Sequence, residues 1–397
     1  MSEHARSISA PARYARDRMT RQRAVLSGIV GLLAALTMLT AWARWELGEV
    51  PGDYRPFELA ATRFWAGDPI YALGDDPFLS PPPFVFFVLP AHALGIVGGH
   101  AFAMILGLSC SAAALALVRR SMRERPSIDA LLAAALYLPI WLSAAIGQWG
   151  GFFFLVFAAT LYFAQQKRAL EAGVLASLLF AKPTFAPFAI AIVALGLGRR
   201  AWIGLGIGAI AWLLLSLPLG LHAWSEWRAE LRYIDEVGAL AEHAWQQHTL
   251  FGSLRALAPR IGVDDDVARN AWLVIAVPLA LATIALASRV LKNGDAVRAF
   301  SLAALATVAL NVYLRYYDSQ IILIPAIALF CTPKRSPLVG AIALAYLVLG
   351  SLDAAYFQER ANVPVEGLLL TAWLVLDLKD ALASVRARRT AIDPDVP

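Results

Sequence analysis

Apolar runs alternate with short charged stretches along almost the whole 397-residue chain. Many of these runs approach the twenty or so residues needed to cross about 30 Å of hydrocarbon. They predict spans at 24–43, 100–118, 127–145, 151–166, 169–181, 184–198, 201–220, 271–288, 298–313, 319–331, 337–350 and 365–382. The expected fold is an all-α polytopic membrane bundle of about twelve transmembrane helices, with structured outer loops at 44–99 and 221–270. Two stretches resist this simple reading. Residues 83–98 are apolar but interrupted by Pro90 and His92, and are expected to lie in or dip into the outer leaflet; the alternative is a true span with a displaced partner. Residues 169–198 divide at Lys182-Pro183. Each half is then only about 20 Å long at about 1.5 Å per residue. Lipid cannot satisfy the backbone groups freed at such a break, so it is expected inside protein or a water-filled cavity, with Lys182 facing that cavity.

Composition agrees with the pattern. The chain is 59% apolar and 16% charged, with a mean hydropathy of +0.62, outside the range of ordinary soluble domains. Of the 34 Lys and Arg, 23 fall in the segments that the span order places in the cytosol, with both termini inside. The outer segments 44–83 and 221–270 carry eight basic against fifteen acidic residues, as the positive-inside rule requires. Counting 83–98 as a span would put Arg119, Arg120, Arg123 and Arg125 outside, against that rule. The net charge of +5 therefore follows topology and gives no reason to expect nucleic acid. The first span follows six arginines. Ala41-Trp42-Ala43 has the form of a signal-peptidase site, but the apolar run is longer than a signal core, so an uncleaved anchor in the plasma (inner) membrane is expected. Residues 1–23 are then a disordered cytosolic tail, 24–385 one transmembrane domain, and 386–397 a second tail. Cys110 and Cys331 both lie in apolar runs and read as packing residues.

The polar stretch after the first span carries the candidate chemistry. Pro56 suits a first helical turn, and Phe57, Ala60, Ala61, Phe64 and Trp65 share one face before Gly67 and Pro69 end the helix. Asp53 stands just ahead of it, either as its N-cap or as a reactive carboxylate. Asp68 has its own local alternative, a turn before Pro69. The motifs run in order: Gly52-Asp53-Tyr54, Gly67-Asp68-Pro69-Ile70-Tyr71, Pro81-Pro82-Pro83, Gly147-Gln148-Trp149-Gly150, Ala181-Lys182-Pro183, Gln247-His248-Thr249-Leu250 and Arg315-Tyr316-Tyr317-Asp318.

This series resembles the polyprenol-phosphate-sugar-dependent glycosyltransferases of family 87, over roughly residues 24–330. His248-Thr249 departs from that family's polar pair, and Arg315 stands near its usual His. The resemblance implies a GT-C-type bundle and an inverting transfer with a single carboxylate base, Asp53. It also implies that Tyr54, Asp68, Tyr71, Gln148, Lys182, His248, Arg315 and Asp318 contact donor or acceptor.

The implied chemistry is consistent with the residue types. A sugar on polyprenyl phosphate leaves behind a phosphate, so its transfer needs a base for the acceptor hydroxyl and positive charge for the departing group. Lys182 and Arg315 are candidates for the charge. Bland roles stand beside these: Lys182 snorkelling, Arg315 pairing with Asp318 three residues on, Gln148 capping a span, and His248 as an ordinary loop residue. Trp224 and Trp227 suit interfacial anchoring, and Trp245 suits sugar contact. Asp264-Asp265-Asp266 reads as solvated charge, since no calcium-loop pattern completes it. No cofactor or metal is expected, because the carboxylates do not cluster and the donor has one phosphate. The expected partners are the lipid-linked sugar (a hexose, with mannose expected), a glycan or glycolipid acceptor at the outer face, and membrane lipid. A secondary transporter with a broken helix and a non-catalytic envelope-polysaccharide assembly protein are the alternatives. The chain has no evident two-fold repeat to favour the transporter.

Overall fold

A computed structural model describes residues 10–71, 76–236, 247–331, 336–352 and 365–392. Among the described residues the regular structure is helical, apart from one isolated β-bridge between Gln247 and Arg315. In chain order the α-helices are α1 (Ala10–Glu46), α2 (Arg55–Ala66), α3 (Val85–His92), α4 (Gly95–Ser121), α5 (Ile128–Ala135), α6 (Leu138–Ala145), α7 (Gly150–Gln165), α8 (Ala169–Leu178), α9 (Ala186–Leu197), α10 (Arg199–Ser216) and α11 (His222–Glu236). They continue with α12 (Leu250–Leu257), α13 (Asp265–Lys292), α14 (Ala296–Ala309), α15 (Leu323–Phe330), α16 (Pro337–Leu352) and α17 (Glu366–Ile392). Short 3-10 turns precede α3 and α15, at Pro82–Phe84 and Tyr316–Ile322, and follow α8, at Leu179–Ala181.

Among the described residues, four helices are by themselves long and apolar enough to cross a membrane: α1, α4, α10 with its 3-10 extension, and α13. The pair α5 and α6 makes a fifth if counted as one span. The other apolar helices have 10–17 residues, so the twelve expected spans do not correspond to twelve full-length helices. Residues 127–145 are not one rod, because the chain bends by 48° between α5 and α6. Pro139 explains the bend: it has no N–H to give Ala135 O, which accepts from Trp141 Nε1 at 2.8 Å instead. Residues 83–98 divide between the short helix Pro82–His92 and the first turn of α4. The former is too short to span alone. α1 reaches back to Ala10, so 10–23 are helical where disorder is expected, and α17 likewise runs past 386 to Ile392.

The break at Lys182 appears where the sequence puts it. Lys182 is extended, at φ −133° and ψ 93°, the region that a following proline favours. α9 then starts at Ala186.

α4 packs along α7 and α8 along α10, while α13 lies against α9 and α14. α17 closes the bundle on α14 and α16. Phe153, Phe154, Phe157, Phe185, Phe300 and Trp373 are fully buried at its centre. By contrast Val25, Ile29, Leu32, Leu36 and Leu39 on α1, and Ile203, Ile207, Ile210 and Leu214 on α10, are exposed. Such continuous apolar faces match a bilayer as solvent, and the chain is an integral membrane protein.

Candidate active site

Asp53 lies in a turn closed by the Tyr54 N–H donating to Pro51 O at 3.0 Å. The residue at the N-cap of α2 is Tyr54, and no side chain caps that helix. Asp53 is therefore not spent on capping. Its Oδ1 accepts from Arg315 Nη1 at 3.1 Å, and its side chain keeps 32% exposure. Gln148 Nε2 donates to the Asp53 backbone carbonyl at 2.9 Å, so Gln148 neither caps a span nor projects freely but holds the turn.

Lys182 Nζ donates to both carboxylate oxygens of Asp318 at 2.6 Å. Asp318 is 2% exposed and Lys182 23%, so the acid forms the floor and the ammonium the accessible edge. Phe153, Phe185 and Tyr317 ring the ammonium at 6.0, 5.8 and 5.6 Å from their centroids. Tyr317 also lies 6.0 Å from the Arg315 guanidinium, so one ring separates the two cations. The Tyr317 ring, close to both cations, thus joins the two ion pairs into one site.

The pairing is crossed relative to the local expectation. Arg315 does not bond Asp318, because Arg315 is extended (φ −76°, ψ 158°) and precedes the 3-10 turn that carries Asp318 inward. Two contacts hold Arg315 out: the bridge to Gln247, and the His248 N–H donating to Leu314 O at 3.2 Å. Asn311, which the sequence reading missed, ties this loop to the Lys182 break. Its Nδ2 donates to Thr184 O at 2.6 Å, and its Oδ1 accepts from Tyr313 N–H at 3.2 Å. The available signal was an amide directly after a buried apolar helix.

Several expected contact residues are placed elsewhere. Tyr54 is 0% exposed, with its ring closed off from any substrate. Tyr71 is buried, and its hydroxyl donates to Ser80 O at 2.6 Å, fastening the loop before Pro81-Pro82-Pro83. His248 is buried behind the Arg315 segment, with Nδ1 3.2 Å from the Tyr346 hydroxyl. There it joins Tyr137, whose hydroxyl is 2.7 Å from Ser319 Oγ. Thr249 caps α12 by accepting from Gly252 N–H at 3.0 Å. Asp68 is exposed in the turn after α2. Trp245 lies outside the described residues. Among the described residues, no three His, Cys, Asp or Glu side chains converge as a metal site requires.

Two ion pairs at the junction of a polar turn and a broken apolar helix are a site for charged chemistry at a membrane edge, and the family assignment says which kind. The sequence profile of glycosyltransferase family 87 matches residues 78–314, more than half of the chain. The chain belongs to glycosyltransferase family 87; it is a polytopic membrane glycosyltransferase. The matched range contains Gln148 and Lys182 but begins after Asp53 and ends one residue before Arg315. Searches of curated proteins and of solved structures found no match.

Proposed function

We propose that this glycosyltransferase moves a hexose, with mannose the expected sugar, from a polyprenyl-phosphate donor to a glycan or glycolipid acceptor at the non-cytosolic face of the inner membrane. The observation that carries the proposal is the Asp53–Arg315 pair standing beside the Lys182–Asp318 pair. One side of the cluster offers a partly exposed carboxylate, the other two partly exposed cations. GT-C architecture and inversion at the sugar follow from the family resemblance.

Asp53 Oδ1 is engaged by Arg315. Oδ2 is then the oxygen that takes the acceptor's hydroxyl proton. As that O–H bond breaks, the acceptor oxygen attacks the anomeric carbon from the face opposite the phosphate. The bond from the anomeric carbon to phosphate oxygen breaks, and its electron pair leaves with the polyprenyl phosphate. The phosphate goes from a diester to a monoester and gains a negative charge. Lys182 and Arg315 are the groups to receive it.

A guanidinium has five N–H donors in a planar fork, and Arg315 uses one of them on Asp53. Its side chain keeps 21% exposure, so guanidinium donors beyond the one on Asp53 can meet the phosphate while Arg315 holds the base. Asp318 cannot serve as the base, because both its oxygens are bound to Lys182 and it is closed to solvent. Its part is to fix the ammonium. The lipid-linked sugar is itself the activated species, so the step as written uses no cofactor or metal.

The test is transfer by the purified full chain in lipid, given a panel of polyprenyl-phosphate sugars and, separately, nucleotide sugars, with glycolipid products read by mass spectrometry. A product from a polyprenyl-phosphate hexose alone supports the proposal. Transfer from a nucleotide sugar alone refutes the donor assignment.

A further inference from the structure

His100 is 0% exposed near the start of α4, within reach of three other elements. Trp45 Nε1, on α1, donates to its Nδ1 at 2.9 Å. Its Nε2 lies 3.0 Å from the carbonyl of Ala145, the last residue of α6. Because Nδ1 already accepts, Nε2 must carry the hydrogen and donate, so both bonds fit one neutral tautomer. A second proton on Nδ1 would face the Trp45 N–H and break that bond. The ring is therefore fixed in position, in rotation and in tautomer.

What it touches lies next to the proposed base. The His100 and Tyr54 rings are 5.4 Å apart. Gly147, with φ +70°, lies against both: a Cβ there would come within 2.7 Å of His100 Cδ2 and 2.9 Å of Tyr54 Cδ2. A Cβ on Gly99 would collide with the Tyr54 hydroxyl. Tyr54 thus sits in a socket made by Gly99, His100 and Gly147, with no room for larger residues at either glycine. Two links run from the socket to Asp53. Tyr54 is its covalent neighbour, and Gln148, which follows Gly147, bonds its backbone carbonyl.

We propose that His100 is a positioning residue for Asp53, acting through the Tyr54 socket and the Gly147-Gln148 turn without touching substrate. Resting on the proposed role of Asp53 as base, it explains why a buried imidazole is held with both nitrogens bonded where α1, α4 and α6 meet. The carboxylate must stand in a fixed place opposite Arg315, and a turn of Pro, Gly and Asp does not fix itself. Geometry of this kind controls rate more than affinity, since an error near 1 Å in a reacting group can cost on the order of 100-fold.

The test compares His100→Phe, which keeps a ring but loses both bonds, with His100→Gln, which offers one acceptor and one donor, and Trp45→Phe, which removes the Nδ1 bond alone. The readouts are kcat, the donor and acceptor KM, and the melting temperature. The proposal expects His100→Phe to lose about 10-fold or more in kcat, with both KM values within about twofold of wild type. His100→Gln should recover most of the rate, and Trp45→Phe should fall between them. Full-rate His100→Phe overturns the proposal, as does a loss that falls on KM or one that His100→Gln shares. Should His100→Phe fail to fold, Trp45→Phe decides: lower kcat at unchanged KM supports the proposal, and wild-type kcat overturns it. A wild-type protein that transfers no sugar overturns the functional reading and this inference together, whereas an active wild type beside a full-rate variant overturns the inference alone.

Discussion

Replacing Lys182 by Met separates structural pairing from substrate binding, because the two roles respond differently to a second change. Lys182 Nζ is the bonded partner of both oxygens of Asp318, which is 2% exposed. Lys182→Met therefore strands a buried carboxylate. Removing one partner of a buried pair costs about 3–5 kcal/mol. The lower end, about 3 kcal/mol, applies here because the lysine itself keeps 23% exposure. Adding Asp318→Asn removes the stranded charge and should restore most of that stability. It cannot restore the cation offered to the donor phosphate. A hydrogen bond to a charged group is worth about 1.5–3 kcal/mol, or roughly 10- to 150-fold in kcat/KM for the donor. The assay pairs melting in detergent with transfer rates at varied donor for wild type, both single variants and the double. The expected result is a double variant that melts near wild type yet transfers no better than Lys182→Met. Transfer that returns together with stability would refute the reasoning and make Lys182 only the counterion of Asp318.

Other outcomes follow from the same geometry. Arg315→Lys keeps a charge but loses the fork that bonds Asp53 while leaving donors free, so kcat should fall on the order of 10-fold or more; a fully active Arg315→Lys would contradict the bridging role. Tyr54→Phe removes a buried hydroxyl that has no partner among the described residues, so stability should hold or rise by up to about 1 kcal/mol with transfer unchanged, which melting and kinetics check together. Burial pushes the Glu230 carboxyl on α11 above the usual glutamate range, and Arg63 only partly offsets this. A raised acid stabilises the docked helix below its unfolded value and loses that contribution as pH rises through the folded one. The fluorescence of Trp224 and Trp227 should therefore report looser docking of α11 as pH rises above the ordinary glutamate range, and Glu230→Gln should abolish that dependence.

The features legible in the sequence are those set by local backbone chemistry. A residue before a proline is biased away from the helical region, so the break at 182 was readable. Pro56 and Gly67 bracket α2 for equally local reasons, and α2 indeed closes on Gly67 in the left-handed region. The identities of Asp53, Lys182, Arg315 and Asp318 were readable as charges at the edges of apolar runs. Their pairing was not. Asp53 and Arg315 are 262 residues apart, and the only pairing visible in the sequence was the three-residue spacing of Arg315 and Asp318. That spacing misleads because Arg315 is extended and only Asp318 enters the 3-10 turn. The resemblance implied contacts from Tyr54 and Tyr71 through their motifs, yet long-range packing, invisible in the sequence, buries both. His100 was passed over inside an apolar run, where only the approach of α1 and α6 reveals what it holds.

The most direct measurement is the transfer rate of Asp53→Asn, a substitution that keeps the side chain's shape and removes its basicity. With melting temperature and donor binding at wild-type levels, the account predicts a fall in kcat of about 100- to 10,000-fold, the usual contribution of a general base. A folded Asp53→Asn enzyme within a few-fold of wild-type kcat would contradict it.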